Sequence, residues 1–476
     1  MNINIFLQKL LLYVPVKMVP AVSGIFLVFF LYKSFPEGQY VSYSVGLFCS
    51  LVAAQLCAGW VGNSFIYYYS GVEDKKRFVS NCVCVILLIA PVASSLSAII
   101  SNSFIVGSNV FIYVWLLCFS QVLFFFLSSV CQAGFLVKQQ LVAVVLQSLA
   151  QIVLVMLFFR LIEVNFRYAL LASIAGYFFA GLFMLYSIFR VSGVCNPFAD
   201  IGLLKKHLSL LYQYGAALSP WILGMLVMAG ADRLAIEYYD TAHGDSYLSL
   251  KDLFVGGAGL LSMPLLMMVH PFVIKKFREG VFAIKMIESS SSFLIIVFSL
   301  LWSVLYFVGF DFFERITGKE IGASSITIFF AFAGVFLNSA AVYFQKRLEV
   351  HRKMKLLAGL SLLSALTSIC FAWVGGRFWG LFGISLGVLL AQLIYFVFVV
   401  GSMYKRLDLY RSFTVPLIVS LLAFVIGSVF YQGLQSGFSS FIWWERSICW
   451  LVGFSIVSLV SLWKGVRWAE FMKATL

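Results

Sequence analysis

Two doublets of opposite charge, Asp232-Arg233 and Lys251-Asp252, and one solitary ammonium, Lys17, stand inside stretches that are otherwise apolar. Charge in such surroundings is costly, so it faces a cavity or a partner. Adjacent residues on a helix point in different directions. Asp232 and Arg233 therefore need partners elsewhere, and the nearest in sequence are Lys251 and Asp252. Crossed pairs, Arg233–Asp252 or Asp232–Lys251, would hold two neighbouring helices together at one end; otherwise all four groups simply lie at an interface. Lys17 is flanked by Pro15 and Pro20, which remove backbone donors and loosen a helix. At ~1.5 Å rise per residue it lies roughly 10 Å into its apolar stretch. Its ammonium has two outlets, a polar cavity holding an anionic group or the headgroup layer reached by snorkelling.

The remaining polar groups read more plainly. His270, before Pro271, suits a helix end. Glu445 and Arg446 beside Trp443 and Trp444 read as an interfacial anchor. Arg160, Glu163 and Arg167 form a solvated turn. No phosphate-binding G-x-x-x-x-G-K-[ST] loop or H-E-x-x-H pair occurs, and four scattered histidines build no metal site. Catalytic residues, metals and cofactors are therefore not expected.

The elements that must position these groups are apolar runs long enough to cross a bilayer, which takes roughly 20 residues for a core about 30 Å thick. Fourteen such spans are expected at 10–32, 39–60, 79–101, 109–132, 139–159, 167–189, 211–236, 248–270, 289–309, 322–345, 355–374, 378–400, 412–431 and 442–463. Hydrophobic residues make up 62 % of the 476, and charged residues only 11 %. Backbone polar groups in lipid must be satisfied internally, so such spans are helices, and the predicted class is an all-α polytopic membrane protein. Pro91, Pro220, Pro264 and Pro416 are candidate hinges, and Gly256-Gly257-Ala258-Gly259 permits close helix packing.

The net charge of +14 is largely topological. Placing the N-terminus inside puts 22 of the 33 basic residues on that side, including Lys75-Lys76-Arg77 and Lys205-Lys206. Only seven fall outside: Lys33, Arg160, Arg167, Arg315, Lys319, Arg377 and Arg446. The positive-inside rule then predicts both termini cytoplasmic. Eight of the nine cysteines fall inside spans and Cys195 in a cytoplasmic loop, so no disulfide framework is expected.

The polar stretch 191–210 divides the first twelve spans into halves, with two more appended. The domain expectation is an N-terminal six-helix lobe over 1–190, a cytoplasmic linker at 191–210, a C-terminal six-helix lobe over 211–401, and two further helices with a cytoplasmic tail over 402–476. Basic turns at Gln132–Lys138 and Gln345–His351 occupy the same place in each half. They suggest parallel repeats related by an axis along the membrane normal.

Three short motifs carry a family resemblance. Tyr214-Gly215-Ala-Ala-Leu-Ser219-Pro220 opens the seventh span, Ala231-Asp232-Arg233-Leu-Ala-Ile236 ends it, and Pro271-Phe-Val-Ile-Lys275-Lys276-Phe277-Arg278-Glu279-Gly280 follows the eighth. They resemble the polysaccharide-transporter branch of the multidrug/oligosaccharidyl-lipid/polysaccharide exporter superfamily, and within it the O-antigen (Wzx-type) flippases. The proline at 220 departs from the family's tyrosine-glycine-x-proline opening. The resemblance implies two six-helix lobes in a V around a central cavity. It implies a flippase that carries an isoprenoid-diphosphate-linked oligosaccharide, on undecaprenyl diphosphate, from the inner to the outer leaflet of the bacterial cytoplasmic membrane by alternating access. A glycan polymerase and a chain-length protein are the implied partners. Lys17, Asp232, Arg233, Lys251 and Asp252 are then the substrate-binding or gating candidates. A multidrug-type cation antiporter is the alternative, although such transporters want acidic residues in their cavity. A membrane polymerase or glycosyltransferase would want a larger extramembrane domain.

Overall fold

The computed structural model describes residues 3–105, 109–193, 201–278, 284–351, 353–402, 413, 415–437 and 450. The expected span 442–463, the Glu445-Arg446 anchor, Cys195 and the C-terminal tail lie outside the described residues, apart from Trp450 itself. The described chain is helical, and ten of its helices are long and apolar enough to cross a membrane. The first six, α1 (Ile3–Ser34), α2 (Gln39–Tyr69), α3 (Lys75–Phe104), α4 (Phe111–Ala133), α5 (Val137–Leu161) and α6 (Phe166–Ser192), follow the first six predicted spans. α7 (Ile201–Tyr239) begins ten residues ahead of its predicted span, so residues 201–210 of the expected linker continue as helix. α8 (Gly244–Arg278) and α9 (Ile284–Val304) follow, and a π-helical turn at Leu305–Gly309 leads into α10 (Phe310–Thr317). α11 (Ser325–Phe344), the short α12 (Lys346–Val350), α13 (Met354–Gly401) and α14 (Val415–Gly437) complete the described helices.

Local chemistry sets the helix ends. Asp74 accepts from the Arg77 amide at 3.0 Å to cap α3, Asn165 accepts from Arg167 at 3.1 Å to cap α6, and Ser324 caps α11. Each side-chain oxygen satisfies a backbone donor that the helix leaves open. Pro91 and Pro220 sit inside continuous helices. α13 is a hairpin whose two arms, the eleventh and twelfth predicted spans, turn at Gly380, with φ 55° and ψ −138°. A left-handed residue there favours glycine. The arms then run antiparallel, with Gly375 against Gly383 and Gly387 against Phe371 so closely that any Cβ would collide. Small residues allow that approach without a gain in hydrophobic burial, because lipid is as apolar as the partner helix.

The core reveals how the two lobes meet. One large apolar cluster joins the halves of α1, α2, α3, α4 and α6 nearest the α1–α2 turn, through Leu31, Tyr40, Ala98 and Val114, to α7, α8, α9, α11 and α13. A second cluster holds the opposite halves of α1–α6, with Leu211 of α7 as its member from beyond α6 among the described residues. The lobes are therefore fused by apolar packing at the α1–α2 face. At the α2–α3 face the N-terminal half of α7 rests on the first lobe. There Ser64 donates to the Leu211 carbonyl at 2.9 Å, Tyr67 stacks on Tyr214 at 4.5 Å, and Asn81 meets the His207 ring at 3.0 Å. Burial and the neighbouring Lys206 charge lower the His207 pKa. The seven described cysteines are all free thiols.

Candidate functional site

α7 and α8 run antiparallel from a short connection, which brings residues 232 and 233 level with 251 and 252. Both crossed ion pairs form. Lys251 Nζ lies 2.5 Å from Asp232 Oδ2, with both side chains essentially sealed from solvent at 2 % and 0 % exposure. Arg233 pairs with Asp252 through both terminal guanidinium nitrogens. Because adjacent helical residues point apart, the two pairs serve different neighbours.

Arg233–Asp252 faces the first lobe. The guanidinium also donates to Ser44 Oγ on α2 and lies 6.0 Å from the Phe48 ring centre. Tyr40, also on α2, donates to Asp252 Oδ2 at 2.9 Å. Asp232–Lys251 faces the interior of the second lobe. Tyr247 donates to Asp232 Oδ2 at 3.1 Å, and the ammonium also donates to the Ala229 carbonyl at 2.8 Å. Beyond Lys251 lies a cavity of about 200 Å³ between α8, α11 and α13, lined by Ser262, Asn338 and Gln392 among others. The carbonyl oxygens of Asn338 and Gln392, and Asp232 Oδ1, find no donor among the described residues.

Above these pairs, the turn between α1 and α2 is gripped at both helix ends by the second lobe. Lys319, between α10 and α11, donates to the carbonyls of Tyr32 and Phe35 at 2.6 and 2.5 Å, closing the C-terminus of α1. Asp245, in the first turn of α8, accepts from the amides of Gly38 and Val41 at 2.6 and 2.8 Å, closing the N-terminus of α2. Each charge opposes the partial charge of the helix end that it caps. Ser42 adds a bond to Glu237 at 2.9 Å. Burial pushes the Asp245 carboxyl above its usual range, and the two amide donors oppose that shift. Burial likewise lowers the Lys319 ammonium, against the pull of Asp245 and Glu37.

Lys17 stands apart. It lies on α1 toward the α2–α3 face, is exposed, and belongs to no ion pair among the described residues. The structure thus brings together four of the five candidates and leaves the fifth on its own. Sequence reasoning missed Tyr40, Ser44, Glu237, Asp245 and Lys319. In the sequence Lys319 reads only as a topological charge, and no spacing links residue 319 to residues 32 and 35.

The helices and their two-lobed packing define an all-α polytopic fold, ten of whose described helices are long and apolar enough to cross a membrane. The fold is shared with an inward closed conformation of the lipid II flippase MurJ, at a TM-score of 0.74 and 13 % identity over 96 % of this chain and 97 % of that one. It is also similar to an inward-facing multidrug resistance MATE family transporter of the MOP superfamily, at 0.58 and 14 % identity over 82 % and 96 %. The MATE multidrug transporter DinF-BH gives 0.57 and 15 % over 84 % and 95 %. No protein-family model and no curated protein sequence matches the chain.

Proposed function

We propose that the protein is a flippase for an isoprenoid-diphosphate-linked oligosaccharide, an O-antigen or related surface-glycan unit. It moves its cargo from the inner to the outer leaflet of the bacterial cytoplasmic membrane by alternating access. The α1–α2 face is taken as outer, with both termini cytoplasmic, on the charge balance of the loops. The domain division at 1–190, 191–210, 211–401 and 402–476 belongs to the same reading. The observation that carries it is the seam between lobes. It is fastened at one face by the Arg233–Asp252–Tyr40–Ser44 knot and the grip of Lys319 and Asp245 on the α1–α2 turn, and these polar contacts can be released and remade. Arg233, Asp252, Asp232 and Lys251 then act as gating residues, and Lys17 supplies a counter-charge to the diphosphate. A glycan polymerase and a chain-length protein would act downstream.

The antiporter reading is weaker on one specific point. The acidic residues before residue 193 are Glu37, Glu73, Asp74 and Glu163, and all lie between helices. No carboxylate therefore stands within α1–α6 to receive a cationic drug, and Asp232 and Asp252 of the second lobe are paired with Lys251 and Arg233, whereas Lys17 stands within α1 to receive an anion.

Reconstituted vesicles carrying a labelled undecaprenyl-diphosphate oligosaccharide test the assignment. Protein-dependent transfer of the label to the opposite leaflet is expected, and transfer at the same rate in protein-free vesicles would refute it. In that assay Lys17→Arg keeps most of the activity, Lys17→Gln loses most and Lys17→Glu abolishes it. A charge contact at ~4 Å is worth about 4 kcal/mol at an effective dielectric of 20. Membrane insertion of each variant is checked by protease protection. Normal transfer by a properly inserted Lys17→Gln protein would assign Lys17 to snorkelling.

A further inference from the structure

A deep apolar slot of about 660 Å³ runs along the seam where α2 and α3 of the first lobe meet α7 and α13 of the second. It follows α3 from Ile89 to Ile100 and α7 from Leu223 to Leu234. Eleven residues of helix make it about 16 Å long, close to half of a hydrocarbon core roughly 30 Å thick. Its upper end on α3 lies four residues short of the helix terminus, Phe104, so on α3 and α7 the slot lies in the half nearer the α1–α2 face, and on α2, from Phe48 to Trp60, it reaches past the middle of the helix. Among the described residues no charged side chain lines it, and its walls are hydrocarbon, two tryptophans, two cysteine thiols and Ser97. A sugar or a phosphate has nothing to bind there, whereas a flexible hydrocarbon chain fits its length, direction and lining.

The mouth of the slot has the opposite chemistry. Ile369 and Trp373 line it from the first arm of α13. Arg377 continues that i, i+4, i+8 stripe one turn, about 6 Å, nearer the face. Arg377 is exposed and pairs with no carboxylate among the described residues. Around Trp373, one turn below, stand aromatic side chains suited to the headgroup layer. Phe104 meets Trp373 edge-on at 6.1 Å, and the exposed Tyr238 lies 6.3 Å from the same ring. A planar guanidinium is well matched to phosphate oxygens.

We infer that this slot holds the hydrocarbon chain of an isoprenyl diphosphate in the leaflet at the α1–α2 face, with Arg377 against the diphosphate. The inference rests on the flippase reading and on the orientation taken there, and it gives the cargo lipid a docking place on the side where it is delivered. A chain lying in the seam lets the lipid part stay in the bilayer while the head group passes between the lobes. An anionic phospholipid shares the same chemistry of chain and phosphate, and the experiment separates the two.

The full-length protein is placed in vesicles of phosphatidylethanolamine and phosphatidylglycerol with a radiolabelled long-chain isoprenyl diphosphate. A photoreactive phenylalanine analogue replaces Leu96, in the slot, or Leu157, an exposed control position on α5. Capture of the isoprenyl diphosphate at 96 is expected to exceed that at 157 by about tenfold. Arg377→Gln should remove most of the excess and Arg377→Lys less of it, as loss of a charge-assisted bond requires. Ala93→Trp, which fills the slot, should abolish the excess while the melting temperature stays near that of the parent. Equal capture at the two positions, preferential capture of labelled phosphatidylglycerol at 96, or indifference to Arg377→Gln would each overturn the inference. Translocation in the same vesicles is read separately. Transport without slot capture removes the slot and leaves the flippase reading, whereas capture without transport does the reverse.

Discussion

Lys251→Met is expected to be the most damaging conservative substitution in the protein. It keeps the length of the side chain but leaves the Asp232 carboxylate buried, with Tyr247 as its remaining donor among the described residues. Removing one partner of a buried ion pair costs about 3–5 kcal/mol, because the other charge stays in a medium that cannot solvate it. The purified protein in detergent should melt many degrees lower, and less of it should reach the membrane. Asp232→Asn combined with Lys251→Met removes both charges and should recover most of that loss. The double variant also separates two roles. Recovery of melting without recovery of translocation assigns the pair to the transport cycle, whereas recovery of both makes it a structural fastener. A Lys251→Met protein that melts with the parent would contradict the buried geometry.

The second large effect is expected from opening the grip on the α1–α2 turn. Lys319→Gln and Asp245→Asn remove the two charges that cap the ends of α1 and α2 from the opposite lobe. Partly buried helix-end charges contribute up to about 2 kcal/mol each. Losing both should shift the ratio of closed to open α1–α2 face by up to about a thousandfold. Spin labels at the exposed positions Lys33 and Glu320 lie on opposite sides of that seam. The parent should give a single short distance between them, and the double variant a second, longer population. Translocation, on the flippase reading, should fall because the α1–α2 face no longer closes reliably. An unchanged distance distribution would show that the apolar cluster beneath, which includes Phe35, Tyr40 and Tyr247, holds the face shut without the charged caps.

These expectations locate the working parts of the seam at different depths. The caps sit at the surface, the Arg233–Asp252 knot a few helical turns below, and the Asp232–Lys251 pair beside it inside the second lobe. Apolar packing at one face cannot be undone piecemeal, whereas hydrogen bonds and ion pairs between lobes can exchange partners one at a time. The knot and the caps stand at the face where the large apolar cluster also joins the lobes, whereas at the α2–α3 face Ser64 and Asn81 hold α7, and that difference is consistent with a gate rather than with a static joint.

The helices were legible before any coordinates because in lipid the backbone has one solution, and the length and composition of each apolar run decide it. The first six helices follow their predicted spans, with α2 running nine residues beyond its own, and the turn at Gly380 divides α13 three residues past the gap between two predicted spans. The resemblance to glycan flippases implied a two-lobed helical fold, and that fold is shared with the MurJ and MATE structures. The doublets at 232–233 and 251–252 could be named as candidates, since charge in an apolar run announces itself. Which charge meets which was a different matter. Asp232 turned into the second lobe and Arg233 toward the first because residues one position apart on a helix face different neighbours, and only the packing says what those neighbours are. The start of α7 at Ile201 was hidden by its polar composition, because a helix emerging from the membrane no longer needs an apolar sequence. Lys319 and Asp245 were invisible as gripping residues for a related reason. A capping charge is defined by the helix end it reaches, and those ends lie some two hundred residues or more away along the chain. Composition and local pattern settle what a segment does within itself, whereas contacts between distant segments depend on how whole helices pack, and that was decided by the tertiary structure alone.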